Sequence, residues 1–423
     1  MLATLRQRNF AFLWLGGLIS MTGDWVLFAA LPFYVYQQTN STLATAGLLA
    51  AELLPYLLFG SISGVFVDRW DRKRIMVVSN LVQTVVVLLL LLIQSNEWLW
   101  VVYVVSFIQT TVATFFGPAE TALLPKLVSD EHLLAANSLN ALNNNVARLI
   151  GPPIGGTLLA LFGLYGVIIV DSISFLVAAL LIVRITAPSK PVQEVADAVA
   201  AAKNKWTRFW EEWLDGLKVV RRERIILILF VVLIIANFGG VMFDPLYPPF
   251  VADILKAGPE GWGWMLTTQA IGGIIGGIIV ARFGNALPAV DLVGWGSILA
   301  GLLLAIQFNI PLYALALGIS FLVGIPSAAN RVAFHTVFQR NVPDKYMGRV
   351  SGAFSTTMAV LSLVSVLGFA GTLGNVFGVI PMLNVAAGIT VLAGALALVL
   401  LPRSTAQNRA TEQAEAIDQE ASA

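Results

Sequence analysis

F-A-F-L-W-L-G-G-L-I-S-M-T-G-D-W-V-L-F-A-A-L-P-F-Y-V-Y, Phe10–Tyr36, holds one charged side chain, Asp24, in 27 residues. About 20 apolar residues at 1.5 Å each cross the hydrocarbon layer of a bilayer, so this stretch reads as a membrane-spanning helix. It is longer than a signal-peptide core and has no small-residue cleavage site at its end, which predicts an uncleaved first span. The rest of the chain is built the same way. Of 423 residues, 58% are hydrophobic and 12% charged, against about 25% charged in an ordinary soluble domain. Too few charges are present to coat a water-soluble body, while the apolar residues furnish about twelve spans. Soluble enzymes, nucleic-acid binders and secreted modules are excluded. With no cysteine there is neither a disulfide nor a thiolate site, and His132 and His335 sit apart in polar connections. No metal and no cofactor are expected.

Apolar segments fall near Phe10–Tyr36 (α1), Leu43–Val67 (α2), Ile75–Gln94 (α3), Leu99–Leu123 (α4), Leu139–Phe162 (α5) and Val167–Ile185 (α6). Six more fall near Ile225–Val251 (α7), Trp262–Ala281 (α8), Leu292–Phe308 (α9), Leu312–Phe334 (α10), Val350–Val376 (α11) and Val379–Leu401 (α12). The expected organisation is an all-α polytopic membrane protein with two six-helix bundles, 1–185 and 224–401. A linker, 186–223, joins them, and a polar tail, 402–423, reads as disordered. With the N-terminus placed in the cytoplasm, 22 of the 25 Lys and Arg fall on the cytoplasmic side. Only Lys256 falls outside, and Arg148 and Arg331 lie within helices. That asymmetry predicts cytoplasmic termini in a cell inner membrane.

The halves repeat. Asp24 and Asn237, Pro32 and Pro245, Gly64 and Gly277, and Arg69 and Arg282 are each 213 residues apart. Parallel repeats of six helices suggest two bundles related by an axis along the membrane normal, with a substrate path between them. In the linker, Trp206, Phe209, Trp210, Trp213, Leu214 and Leu217 recur at helical spacing. This is either an interfacial helix on the inner leaflet or one packed on the bundle's own cytoplasmic face.

After α2 stands G-V-F-V-D-R-W-D-R-K, with Gly64, Asp68, Arg69, Arg72 and Lys73 in the pattern G-x-x-x-D-R-x-x-R-K. This segment resembles the cytoplasmic signature of the major facilitator superfamily, and helix number, linker position and half-repeat agree with that family. The resemblance implies that Asp68 faces the start of α11 near Tyr346–Val350, where a carboxylate favours a helix N-terminus. It also implies that Arg69 or Arg72 engages Glu120, low on α4, in a gate that breaks when the halves rock. A set of plain topological anchors is the other reading, favoured for Lys73 and Arg74. The second half keeps only Gly277 and Arg282, with Ala281 in the Asp position.

In α5, N-N-N-V-A-R-L-I-G-P-P-I-G-G places Gly151, Pro152, Gly155 and Gly156 in a G-P-x-x-G-G core. It is similar to the antiporter signature of the same superfamily, which implies export by antiport. Small residues there also allow close helix packing on their own account. The R-x-x-x-G signature of many drug exporters is absent from α4. G-D-W in α1, L-L-P-K-L-V with A-N-S-L before α5, and V-P-D-K-Y-M-G-R-V before α11 instead resemble the macrolide-efflux and siderophore-exporter-like group.

Ionisable groups inside a membrane are costly and mark function or structural pairing. Asp24 lies 14 residues into α1, about 21 Å along it, near mid-depth. Arg148 lies at a comparable depth in α5. A buried carboxyl favours its neutral form and a neighbouring guanidinium its charged form, so Asp24 and Arg148 are expected to form a proton-coupling pair. Glu52, Asp171 and Asp244 fall in the outer parts of α2, α6 and α7; a static hydrogen bond or interface hydration suits the first two, and a structural role in a broken helix end suits Asp244, beside Pro245, Pro248 and Pro249, as well as a functional one. Trp25, Phe28, Phe33, Tyr34, Asn237, Phe238, Phe243 and Tyr247 on α1 and α7, with Glu52, Asp244 and Arg331, are cavity candidates, although lipid-facing positions would also suit the aromatics.

The favoured function is a multidrug-type secondary transporter. It would export hydrophobic or amphiphilic small molecules, drug, macrolide or siderophore-like, by proton antiport with alternating access. Its partners would be substrate, protons and the bilayer, with no nucleic acid, and its working unit a monomer. Lysophospholipid movement, proton-coupled uptake, and a receptor or scaffold without transport are the alternatives. No Walker sequence is present to supply ATP hydrolysis. The topology is directly testable. A fluorescent-protein fusion after Leu401 should fluoresce, and an alkaline phosphatase fusion there should be inactive; an active phosphatase overturns the helix count.

Overall fold

The computed structural model describes residues 2–186, 213–214, 217–284, 287–342 and 344–401. Most of the expected linker helix, Trp206 and Phe209 included, and the tail from 402 onward lie outside these residues. Among the described residues the secondary structure is helical, with no strand. The spans are α1 Arg8–Thr39, α2 Thr42–Arg69, α3 Arg72–Leu88 and α4 Trp100–Leu123. A continuous helical stretch, Asp130–Val183, follows. The second half holds α7 Arg224–Pro249, α8 Pro259–Phe283, α9 Ala289–Asn309, α10 Tyr313–Asn341, α11 Asp344–Leu363 and α12 Val379–Leu400.

The 54 residues of Asp130–Val183 would reach about 81 Å if straight, far beyond one bilayer. The chain reverses at Gly163, whose φ of 63° and ψ of −165° divide the stretch into α5 (130–162) and α6 (164–183). Contacts with α1 show the reversal. Gly17, Trp25 and Val26 meet Asn143, Gly151 and Gly155 in rising order, whereas Gly16 meets Ala178 and Ile182 and Gly23 meets Asp171 and Ser174 in falling order. The α5 and α6 segments therefore flank α1 in opposite directions, and twelve membrane-length helices are present among the described residues.

Two compact units form, and they do not follow the two sequence halves. One comprises Met1–Glu212, Met242–Thr267 and Ala359–Met382. The other comprises Trp213–Val241, Thr268–Met358 and Leu383–Ala423. In the first unit, α1–α6 are joined by the far parts of α7 and α11. Tyr36 at the end of α1 donates to the carboxylate of Asp253. Asn375 accepts from the Thr42 amide at 2.9 Å and from its hydroxyl at 2.7 Å, and donates to Ser41 Oγ at 3.1 Å. Here α11 widens into π-helical turns over Val364–Leu373, and α7 continues as a π-helical turn, Phe250–Ile254, after its three prolines. At the basic side of the same unit, Phe10, Leu13, Met76, Ala119 and Leu139 form a closed apolar core.

In the second unit, Leu229, Leu233, Val293, Ala333 and Ala397 form the corresponding core. Close approach sets the spacing of α8 and α10. A Cβ at Gly272 or Gly276 would run into the carbonyls of Phe321 and Ile325. Ser297 and Asn330 link α9 to α10 at 2.6 Å, as do Gln307 and Ser320 at 2.9 Å. Lipid offers helices no hydrophobic drive to associate, so contacts of this kind decide their pairing.

The reversal at Gly163 has its own test. Its backbone region is open almost only to glycine, and no described atom lies within 4 Å of a Cβ added there. Gly163→Ala should thus cost about 1–3 kcal/mol through strain alone, read as a lowered melting temperature in detergent. An unchanged melt would mean the turn has another conformation.

Candidate functional site

The first unit contains a cavity of about 330 Å³ lined from α1 to α5. From α1 come Asp24, Trp25 and Phe28, and from α2 come Glu52 and Tyr56. Gln83 of α3, Ser106, Gln109 and Thr110 of α4, and Asn144 of α5 complete its polar wall. Asp24 and Tyr56 are exposed within it, Glu52 is half-buried and Gln83 is buried. Trp25 and Phe28 meet edge to face, with centroids 5.0 Å apart. Each amide or hydroxyl is set in an otherwise apolar helix, where an unmatched polar group is expensive. Collecting them on one aqueous space removes that cost.

Close backbone packing sets the register of this wall. A Cβ at Gly151 would strike Trp25, and one at Gly155 would strike the backbone of Val26, so α5 lies directly on the turn of α1 that carries Asp24. On its other side, Gly156 abuts the Pro259 carbonyl and Gly263 abuts that of Pro152. The G-P-x-x-G-G face is thus a two-sided contact, with α1 on one flank and the start of α8 on the other. Thr267 donates to the Leu149 carbonyl at 3.0 Å beside it.

Of the expected Asp24–Arg148 pair, Asp24 interacts electrostatically with Asp171 and Tyr56. Asp171 is fully buried; Ser174 and Gln109 hydrogen-bond one part of its carboxyl, and Oδ2 has no partner. Arg148 lies with its Cζ 5.7 Å from the Trp25 ring centre and interacts with Asp244 of α7, which in turn interacts with Glu52. The reason is the register: Gly151 seats directly against Trp25, which brings Arg148, three residues earlier on α5, onto that ring. Asp244 is exposed. Asn237 and Phe238, half-buried, and Arg331, exposed, belong to the other unit. Phe33 and Phe243 are buried in packing.

At the basic end of the unit, Asp68 is exposed and Arg69 lies in the last turn of α2. Asp71, at a variable position of the motif, caps α3 by accepting from the Arg74 amide at 2.8 Å. The expected pairing of Arg69 or Arg72 with Glu120 is not formed in this conformation. Arg72 Nη1 donates to the Ala122 carbonyl at 2.9 Å, one of the acceptors left over at the end of α4. Glu120 is buried facing α1 at Gly17; it hydrogen-bonds Asn140, and its Oε1 is unpartnered. The start of α11, expected opposite Asp68, belongs to the other unit.

Tyr56, Gln83, Ser106, Gln109, Thr110 and Asn144 were not anticipated as site residues. A signal was available in V-V-S-N-L-V-Q-T-V-V-V and F-I-Q-T-T, where lone amides interrupt apolar runs. Uncharged polar residues also satisfy one another in ordinary helix packing, so only the cavity separates the two uses.

Twelve membrane-length helices among the described residues, with a polar cavity among α1–α5, are the features of a multi-pass membrane transporter, not an enzyme. A family model described as the Major Facilitator Superfamily matches residues 13–247 and 229–423, and the chain belongs to that superfamily. Macrolide efflux protein A of Streptococcus pyogenes is 25% identical over 372 residues, 85% of this chain and 87% of that protein. The protein of the same name from Enterococcus faecalis is 25% identical over 327 residues, 74% of this chain and 95% of its own. Among solved structures, a bacterial homolog of the human lysosomal transporter Spinster, inward-facing and unoccupied, aligns with a TM-score of 0.72 at 15% identity. That alignment covers 93% of this chain and 96% of the other. A bacterial homologue of the iron transporter ferroportin, inward-facing, gives 0.70 at 17% identity over 92% and 98%. The fold is the all-helical fold of the major facilitator superfamily.

The two glycine motifs predict opposite outcomes. Gly155→Ala should push α1 from α5, lowering the melting temperature and abolishing transport. Gly64→Ala should keep the melt, because no described atom lies within 4 Å of a Cβ placed there. Thermal unfolding of the two purified variants decides this, and equal melts would overturn the close-packing account.

Proposed function

We propose that this chain exports hydrophobic or amphiphilic small molecules across a bacterial inner membrane by proton antiport with alternating access, working as a monomer. The cavity among α1–α5 carries the reading, since it combines an aromatic wall with two membrane-embedded carboxyl groups, Asp24 and Glu52. Relatives named for macrolide efflux support the direction. Antiport needs a group that holds a proton in one state and loses it when substrate arrives. Asp24 meets that need, being accessible in the cavity and at mid-depth in α1. A guanidinium keeps its proton at physiological pH, so Arg148 serves as a fixed positive charge near the Glu52–Asp244 edge. The G-P-x-x-G-G face of Gly151, Pro152, Gly155 and Gly156 lets α5 lie against α1 and α8 as access changes. Gly64, Asp68, Arg69, Arg72 and Glu120 form the gate on the basic side, which is cytoplasmic in this reading. Arg72 and Glu120 would trade their present partners for each other when that gate closes.

Reconstitution into proteoliposomes with an imposed pH gradient and a chemically broad substrate panel tests the reading. Asp24→Asn, which mimics the neutral carboxyl, should lose uphill accumulation and retain downhill exchange at saturating substrate. Normal pumping by this variant would remove Asp24 from the coupling role, and uptake in the wild type would reverse the direction.

A further inference from the structure

The cavity's charge is one-sided. Asp24 and Glu52 lie in its wall, Asp171 interacts with Asp24 from behind, and Asp244 interacts with Glu52 at its edge. Against these four carboxyl groups stands one guanidinium, Arg148, which is held on Trp25 and toward Asp244. No Lys, Arg or His is among the described residues of the lining. The remaining polar wall is amide and hydroxyl, able to accept hydrogen bonds but not to neutralise a charge. Beside the carboxyl groups sit the rings of Trp25, Phe28 and Tyr56. Acids facing aromatic faces in a partly desolvated space form the environment that attracts an organic ammonium ion. A volume of about 330 Å³ is near the lower end of small-molecule sites, so it fits a head group better than a large amphiphile entire.

We propose that this cavity binds the protonated amine of a cationic amphiphile, with Glu52 and Asp24 as its counter-ions and Phe28 and Tyr56 as its aromatic flank. The inference rests on the cavity being the substrate site, and it narrows the substrate class from amphiphiles at large to amines and quaternary ammonium compounds. Glu52 thereby becomes a specificity residue rather than a static hydrogen-bonding group. A neutral or anionic compound of the same shape would leave the carboxyl groups without a partner and bind poorly.

The test uses a matched pair of probes differing in one atom: radiolabelled benzyltrimethylammonium and its carbon isostere neopentylbenzene. Binding is measured to the full-length purified protein in lipid nanodiscs, without a gradient. Saturable binding of the cation is expected, with the isostere competing roughly tenfold or more weakly. Glu52→Gln and Asp24→Asn should each weaken cation binding by roughly tenfold or more, at unchanged melting temperature, while Glu97→Gln, exposed in a distant connection, should have no effect. Equal competition by the isostere, or full affinity in Glu52→Gln, would overturn the proposal. Pumping in proteoliposomes separates it from the export reading. Charge-dependent binding without uphill transport sustains the ammonium site and removes antiport; proton-driven export of neutral compounds alone, with no cation bound, removes the ammonium site and keeps antiport.

Discussion

Backbone contact between α1 and its two neighbours is the constraint on which the remaining structure depends. Without glycine at 23, 151 and 155, α1 could not approach α5 and α6 closely enough for Asp24, Asp171 and Trp25 to share one region. In a hydrocarbon solvent this closeness has to come from shape, because apolar side chains gain little by leaving lipid for one another. The reversal at Gly163 is the second half of the same device, since it delivers α6 back along α1 in the opposite direction.

That packing explains why the polar residues lie where they do. Gln83, Gln109 and Asn144 come from three different helices, and each would be a liability if turned toward lipid. Once α1 is seated, they converge on one water-accessible space, and the carboxyl groups of Asp24 and Glu52 face it. Asp171 adds a like charge beside Asp24, and Asp244 adds one beside Glu52. A cavity of this kind is therefore poised to take up a positive charge, as a proton or as a guest. The proposed antiport is a competition between those two occupants.

The first unit also shows how one side of the molecule is held. Tyr36 with Asp253, and Ser41 and Thr42 with Asn375, are hydrogen bonds between helix ends, each worth about a kcal/mol net. Contacts this weak can be exchanged within a transport cycle. The glycine face of α5, with α8 on one flank and α1 on the other, offers a smooth surface beside them. The π-helical turns of α11 over Val364–Leu373 sit in this region, consistent with a segment that adjusts its register.

Hydropathy, the skew of Lys and Arg, and the G-x-x-x-D-R-x-x-R-K and G-P-x-x-G-G patterns were readable in the sequence because each is a local consequence of living in a bilayer. Distance along a helix was equally readable, since it follows from residue count. Azimuth was not. Whether Arg148 faces Asp24 or Asp244, and whether Glu120 faces Arg72 or Gly17, depends on how each helix is rotated against its neighbours. Glycine contacts between segments more than a hundred residues apart set that rotation. For the same reason Gln83, Gln109 and Asn144 were indistinguishable in sequence from ordinary buried amides. Periodicity within one helix determined which residues share a face; only the packing of five helices decided which faces meet.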